Sequence, residues 1–216
     1  MYPYLMKSFV FNNLLLFCIM LCIPAVPVYS QSIDNVIAQQ TRIPPLGNNF
    51  EKALFKGNLD ISKHHLTGLM FFKQTSDTSY RIIFINEMGM KYFDLEFIHE
   101  QFIIRYCFPS LSRKALLKIL ESDFRLLLPE KLSGQRTLIQ KTENSGNIEY
   151  KVTSKSGKYF YTIEKGSRRI LSIVSSGKFL RKTRIFFDQS ENNIPPRIKI
   201  LNPTIKLTMK LTLLDK

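Results

Sequence analysis

From Thr204 to Leu213 every second side chain is apolar. Ile205, Leu207, Met209, Leu211 and Leu213 alternate with Thr204, Lys206, Thr208, Lys210 and Thr212. Only a β-strand sends alternate residues to opposite faces, so this segment is expected to line an apolar interior on one side and meet water on the other. One half-buried strand has no stability alone; it demands a sheet.

The rest of the chain supplies partners. Residues 66–73 (LTGLMFFK), 79–86 (SYRIIFIN), 91–97 (KYFDLEF) and 101–107 (QFIIRYC) are rich in β-branched and aromatic types and read as four strands. In the third, Phe93, Leu95 and Phe97 alternate with Tyr92, Asp94 and Glu96, and the two carboxylates are expected to solubilise an outer face. Short connections imply an antiparallel meander. Farther on, Gly146, Gly157, Gly166 and Gly177 fall 11, 9 and 11 residues apart, each in a polar cluster. That spacing of turn signals marks consecutive hairpins. Strands are expected at 135–142, 148–154, 158–164, 168–175, 178–188 and 197–201, ahead of 204–213.

Between the two sets the period changes. Leu116, Ile119, Leu120, Phe124, Leu127 and Leu128 follow helical spacing. With Ser110 as the N-cap and Pro129 as the stop, a helix of about 17 residues is expected, its polar face carrying Arg113, Lys114, Lys118 and Glu121. Asp123 is expected to be structural, capping the helix or pairing with Arg125. Upstream, Ile33, Val36 and Ile37 suggest a short amphipathic helix, ended by Pro44, Pro45 and Gly47. Residues 49–56 read as a further helical turn closed by Gly57. The fold class is therefore mainly β (α+β): an antiparallel, unclosed β-barrel of about 9–11 strands, a central helix and a short N-terminal helix. A lead-in spans 31–48 and a single domain spans 49–216, because no long linker interrupts the hairpins.

Residues 1–30 read as a secretory leader. Lys7 is the only charge before Asp34, ten apolar residues run from Leu14 to Ile23, and Pro24 and Pro27 precede a cleavage site before Gln31. A membrane-spanning helix needs roughly 20 apolar residues, twice that run. Cys18 and Cys22 follow the bulky Phe17 and Leu21, which disfavours lipid attachment. Without the leader, Cys107 is the sole cysteine, so no internal disulfide forms and the thiol is expected to be buried and inert.

Lys and Arg outnumber Asp and Glu by 31 to 17, a net charge of +14. That balance invites a nucleic-acid reading, but an exported chain with its cations scattered along strands fits either anionic membrane headgroups or a solvated surface with no specific partner. No constellation for catalysis is present. His64 and His65 are neighbours, which on a strand face opposite ways and do not share a metal easily. No zinc spacing, nucleophile elbow, phosphate loop or dinucleotide fingerprint occurs. The expectation is a non-enzyme with no catalytic residue, no metal and no cofactor.

A signal peptide, an N-terminal helix, antiparallel strands, a middle helix and more strands form an order that resembles the LolA/LolB carriers of bacterial lipoproteins. The texture of 66–73 (LTGLMFFK), 80–97 (YRIIFINEMGMKYFDLEF) and 113–127 (RKALLKILESDFRLL) is similar to LolB-like envelope proteins of Bacteroidetes-type bacteria. The resemblance covers about residues 45–215. It implies an unclosed β-barrel with a helical lid and a cavity for lipoprotein acyl chains. It further implies that Met70, Phe72, Ile82, Phe84, Phe93, Leu95 and Phe97 line the concave side, and that Leu120, Phe124 and Leu127 close it. The chain lacks a convincing lipid-attachment cysteine of the LolB kind. The expected function is a monomeric carrier for lipid or lipoprotein acyl chains. It would work in the periplasm or at the outer-membrane periphery of a Gram-negative bacterium. The rival expectation is a non-enzymatic envelope interaction protein with a solid core, an accessory subunit of a larger assembly.

Overall fold

The computed structural model describes residues 45–46, 50–128, 138–154, 157–167, 169–176, 182–188 and 194–214. The expected leader, the short N-terminal helix at Ile33–Ile37 and Pro129 lie outside the described residues.

Twelve antiparallel strands make one sheet among the described residues. They are β1 (Lys52–Ile61), β2 (His64–Ser76), β3 (Ser79–Ile85), β4 (Lys91–Ile98), β5 (Gln101–Cys107), β6 (Leu138–Glu143), β7 (Asn147–Ser154), β8 (Gly157–Glu164), β9 (Ile170–Ser176), β10 (Thr183–Phe187), β11 (Arg197–Asn202) and β12 (Leu207–Leu213). Their order is β5-β4-β3-β2-β1-β12-β11-β10-β9-β8-β7-β6. β5 and β6 are the two edges and do not pair, so the barrel is unclosed. Every neighbour is a sequence neighbour except at the centre, where β1 pairs β12 in the register Gly57↔Leu211 and Leu59↔Met209.

The twelfth strand is β1, where the sequence pattern suggested a helical turn at 49–56. The strand burial alternates without a break: Ala53, Phe55, Gly57, Leu59 and Ile61 face inward. A glycine at the middle of the run masks the period, since it contributes no apolar side chain. Gly57 stands directly opposite Gly68 of β2. At Gly68 the absent side chain lets the β3 backbone at Ile85 approach closely.

Two boundaries also differ from expectation. The alternation from Thr204 begins as a turn, and the strand starts at Leu207. Lys206 adopts a φ of 52°, which takes it out of the pleat and frees Ile205 from the core face. The helix, α1, runs Lys114–Arg125, 12 residues instead of about 17. Ser110 does not cap it; Pro109–Leu111 form a separate 3₁₀ turn, and Arg113 holds the N-cap position without a side-chain hydrogen bond. Arg113 is extended, with φ −64° and ψ 127°, and this break separates the 3₁₀ turn from α1.

Asp94 is not an outer-face solubiliser. It is 1% exposed. Arg81 of β3 donates from Nε and Nη2 to its two oxygens, both at 2.8 Å, and Lys91 Nζ adds a contact at 3.0 Å. The Arg81 hydrogen bond holds the carboxyl below its ordinary range, against the opposing effect of burial. Arg81 lies opposite Glu96 in register and reaches diagonally to Asp94. Glu96 is instead paired with Arg105 of β5 at 2.7 Å. Arg81→Met would leave a buried carboxylate with Lys91 alone, and is expected to lower the unfolding free energy by about 2 kcal/mol at pH 7. Because the Asp94 pKa is depressed on folding, this contribution is present above the ordinary carboxylate range and is lost as pH falls through the folded value. Urea titrations of the two proteins should therefore converge in strong acid.

Candidate functional site

The structure brings the ten expected lining residues together on one side of the sheet. Met70, Phe72, Ile82, Phe84, Phe93, Leu95 and Phe97 are all inside, as are Leu120, Phe124 and Leu127, none more than 1% exposed. Phe124 of α1 meets Phe72 edge-on with ring centroids 5.9 Å apart, and lies 5.9 Å from Phe93. Phe84 continues the cluster to Phe93 at 5.5 Å, and Phe55 of β1 joins Phe72 at the same separation. Aromatic pairs at this range are worth about 1 kcal/mol each beyond the area they bury. The helix thus covers the β2–β4 part of the inner face.

Polar contacts fasten the same helix at its far end. Arg125 donates from Nη1 to the His99 carbonyl at 3.1 Å and from Nη2 to the Glu100 carbonyl at 2.7 Å, both in the β4–β5 turn. It pairs with Glu121 at 3.2 Å and lies 5.3 Å from the Phe97 ring centre. Asp123 reaches the other arm of the sheet. Thr183 of β10 donates to Asp123 Oδ1 at 2.9 Å, and Asn202 of β11 donates to the Thr183 hydroxyl at 2.9 Å. All three are buried. Asp123 Oδ2 has no hydrogen-bond partner. Burial pushes this carboxyl up to about 7, with the Thr183 and Asn202 side chains acting against the shift. The expected link between Asp123 and Arg125 is not made; the two side chains hold opposite arms.

The start of α1 is different. A cleft of about 420 Å³ opens there. Three turns remote in sequence build it. The β1–β2 turn gives Ile61, Ser62, Lys63 and His64; the 3₁₀ turn gives Ser110 and Leu111; Arg113, Ala115 and Leu116 come from the helix start and Ile205 from the β11–β12 turn. Ser62 has a φ of 55° and donates its backbone N–H to the Lys206 carbonyl at 3.3 Å, tying two left-handed residues together at the rim. Ile61, Leu111 and Leu116 are buried and form an apolar floor. Sequence reading missed this site. Its one visible trace is Ile205, whose place in a clean alternation suggested core.

His65 Nδ1 hydrogen-bonds Asp60, while His64 faces the cleft. Cys107 is half-buried, at the edge strand β5, with its thiol pushed up by burial. Its place on an edge strand explains the partial exposure. Among the described residues no group of His, Cys, Asp and Glu is arranged to hold a metal ion. No helix among them is long and apolar enough to cross a membrane.

A LolA superfamily protein from Nitrosomonas europaea superposes with a TM-score of 0.51 at 9% identity, over 84% of this chain and 91% of its own. The fold is of the LolA type. A domain assigned to outer membrane lipoprotein sorting, from Vibrio parahaemolyticus, aligns at a TM-score of 0.48 and 9% identity, over 85% of this chain and 88% of that one. A DUF1329 family protein from Desulfovibrio piger aligns at 0.46 and 10%, over 76% and 84%. No protein-family model matches the sequence, and no curated protein does. In LolA-type terms, β1–β12 are the unclosed barrel and α1 is its lid.

Proposed function

We propose that this is a non-catalytic binding protein of the bacterial envelope that carries the acyl chain of a lipid or lipoprotein. The observation that carries the reading is the 420 Å³ cleft with an apolar floor, set between the lid helix and the barrel wall. Its volume is within the roughly 300–1,000 Å³ range of small-ligand sites. None of Met70, Phe72, Ile82, Phe84, Phe93, Leu95, Phe97, Leu120, Phe124 and Leu127 lines the cleft; they are packed beneath the lid and would receive the chain only as the helix moves. Each methylene taken out of water is worth about 0.8 kcal/mol, so even a partly inserted chain is held appreciably. The scattered cations suit a protein that meets anionic membrane surfaces.

The test is uptake of a fluorescent fatty acid by the purified protein, with mass spectrometry of co-purified lipid. Ala115 is exposed at the cleft, so Ala115→Trp fills it without disturbing the core. Uptake is expected to fall at least about tenfold with an unchanged circular dichroism spectrum. Uptake equal to wild type would remove the cleft from the reading. A second reading, an interaction protein, is favoured by one observation. Edge strand β5 exposes Ile104 and Tyr106 beside unpaired backbone groups, a surface suited to strand addition. A protein free of lipid that captures a partner through β5 would support it.

A further inference from the structure

The cleft has a charged lip as well as an apolar floor. Lys63, His64 and Arg113 contribute to its lining, and no Asp or Glu does. Lys63 of the β1–β2 turn and Arg113 at the helix start are exposed, and among the described residues neither is in a salt bridge. The third element is the helix itself. α1 begins at this cleft with no side-chain cap and no acidic residue in its first turn. The first N–H groups of an α-helix have no acceptor within the helix, and its N-terminus carries a partial positive charge. A helix that starts uncapped into open water loses stability that a Ser or Asp would supply. Here Arg113 stands in the cap position and adds charge of the same sign as the dipole. An anion placed at the mouth would satisfy all of these groups at once.

We propose that the cleft is the headgroup site for an anionic single-chain amphiphile, with a carboxylate or phosphate held by Lys63, Arg113 and the amide end of α1. The acyl part lies on Ile61, Leu111 and Leu116. This inference rests on the carrier reading and narrows it to ligands whose polar end is negatively charged. Apolar floor and cationic lip are adjacent, so neither a free anion nor a neutral lipid uses the whole site. Charge-assisted contacts from an Arg, a Lys and backbone amides supply the discrimination.

The experiment is calorimetric titration of the full chain with three probes: myristate, glycerol monomyristate and inorganic phosphate. Myristate is expected to bind at least about tenfold more tightly than the monoglyceride, with phosphate alone weaker than either. In Lys63→Gln/Arg113→Gln the preference for myristate should collapse to within about threefold, while monomyristate affinity stays put. Neither position is in the core, and retained monomyristate binding reports a folded protein. Equal affinity for the two lipids in the wild-type chain would overturn the headgroup site and leave the carrier reading standing. Tight binding of phosphate alone would also overturn it, in favour of a free-anion site. Failure to bind either lipid would overturn both readings together.

Discussion

Asp123→Asn is expected to flatten the pH dependence of stability between pH 4 and 7 and to stabilise the protein above it. In the folded chain the carboxyl holds its proton up to about pH 7; unfolded, it releases it near 3.8. Between those values the folded state binds more protons than the unfolded state. The stability associated with the neutral carboxyl is therefore full below the unfolded pKa and is lost as pH rises through the folded one. A shift of this size corresponds to on the order of 4 kcal/mol. An amide in place of the acid keeps the acceptor for Thr183 and cannot ionise. Its own unpaired N–H groups cost about 1–3 kcal/mol, leaving a net gain of about 2 kcal/mol at pH 8. Urea unfolding at pH 4.5, 6 and 8 measures both curves. Parallel curves would show that Asp123 is not the group responsible.

Gly68→Ala is expected to be the most damaging single methyl in the chain. A Cβ at that position would sit 1.9 Å from the Ile85 carbonyl oxygen, 2.8 Å from its carbon and 3.0 Å from Asn86 Cα. These are backbone atoms of the β3 end and cannot rotate aside. The β2–β3 ladder, Leu69↔Ile85 onward, would have to separate. We expect a loss of more than about 4 kcal/mol, seen as insoluble expression or a collapsed melting transition. Gly57→Ala is the control. Its new methyl meets Phe84 Cε2 at 3.2 Å, Leu211 Cδ2 at 3.5 Å and Met70 Cβ at 3.6 Å, where side chains can yield a little. A cost of about 1–2 kcal/mol is expected there. Similar melting temperatures for the two variants would contradict the close approach at Gly68.

These residues also show how far the sequence could be read. Phe93, Leu95 and Phe97 were visible because period-two alternation is a property of a strand by itself, whereas Met70, Phe72, Ile82 and Phe84 came only with the resemblance to the LolA/LolB carriers. The helix residues Leu120, Phe124 and Leu127 were visible for the same reason at helical period. What failed was long-range. β1 looked unlike a strand because Gly57 occupies an inward position, and the side chains that crowd it, Phe84, Leu211 and Met70, come from other strands. Asp94 was assigned to the correct face of β4, but nothing local reveals that Arg81 covers it from the neighbouring strand. Asp123 was seen as a helix residue with a neighbour, whereas its partners lie 60 and 79 residues ahead in β10 and β11. The cleft is the extreme case, since its walls come from the turns after β1 and β11 and from the start of α1.

The pairing of β1 with β12 has a kinetic consequence. It joins strands separated by about 150 residues at the very centre of the sheet, and closing a loop of that length costs roughly 4 kcal/mol in chain entropy. Each arm can zip locally through its hairpins, but β1, paired on one side with β2, gains its second neighbour only when β12 arrives. The joining of the two arms therefore waits for β12.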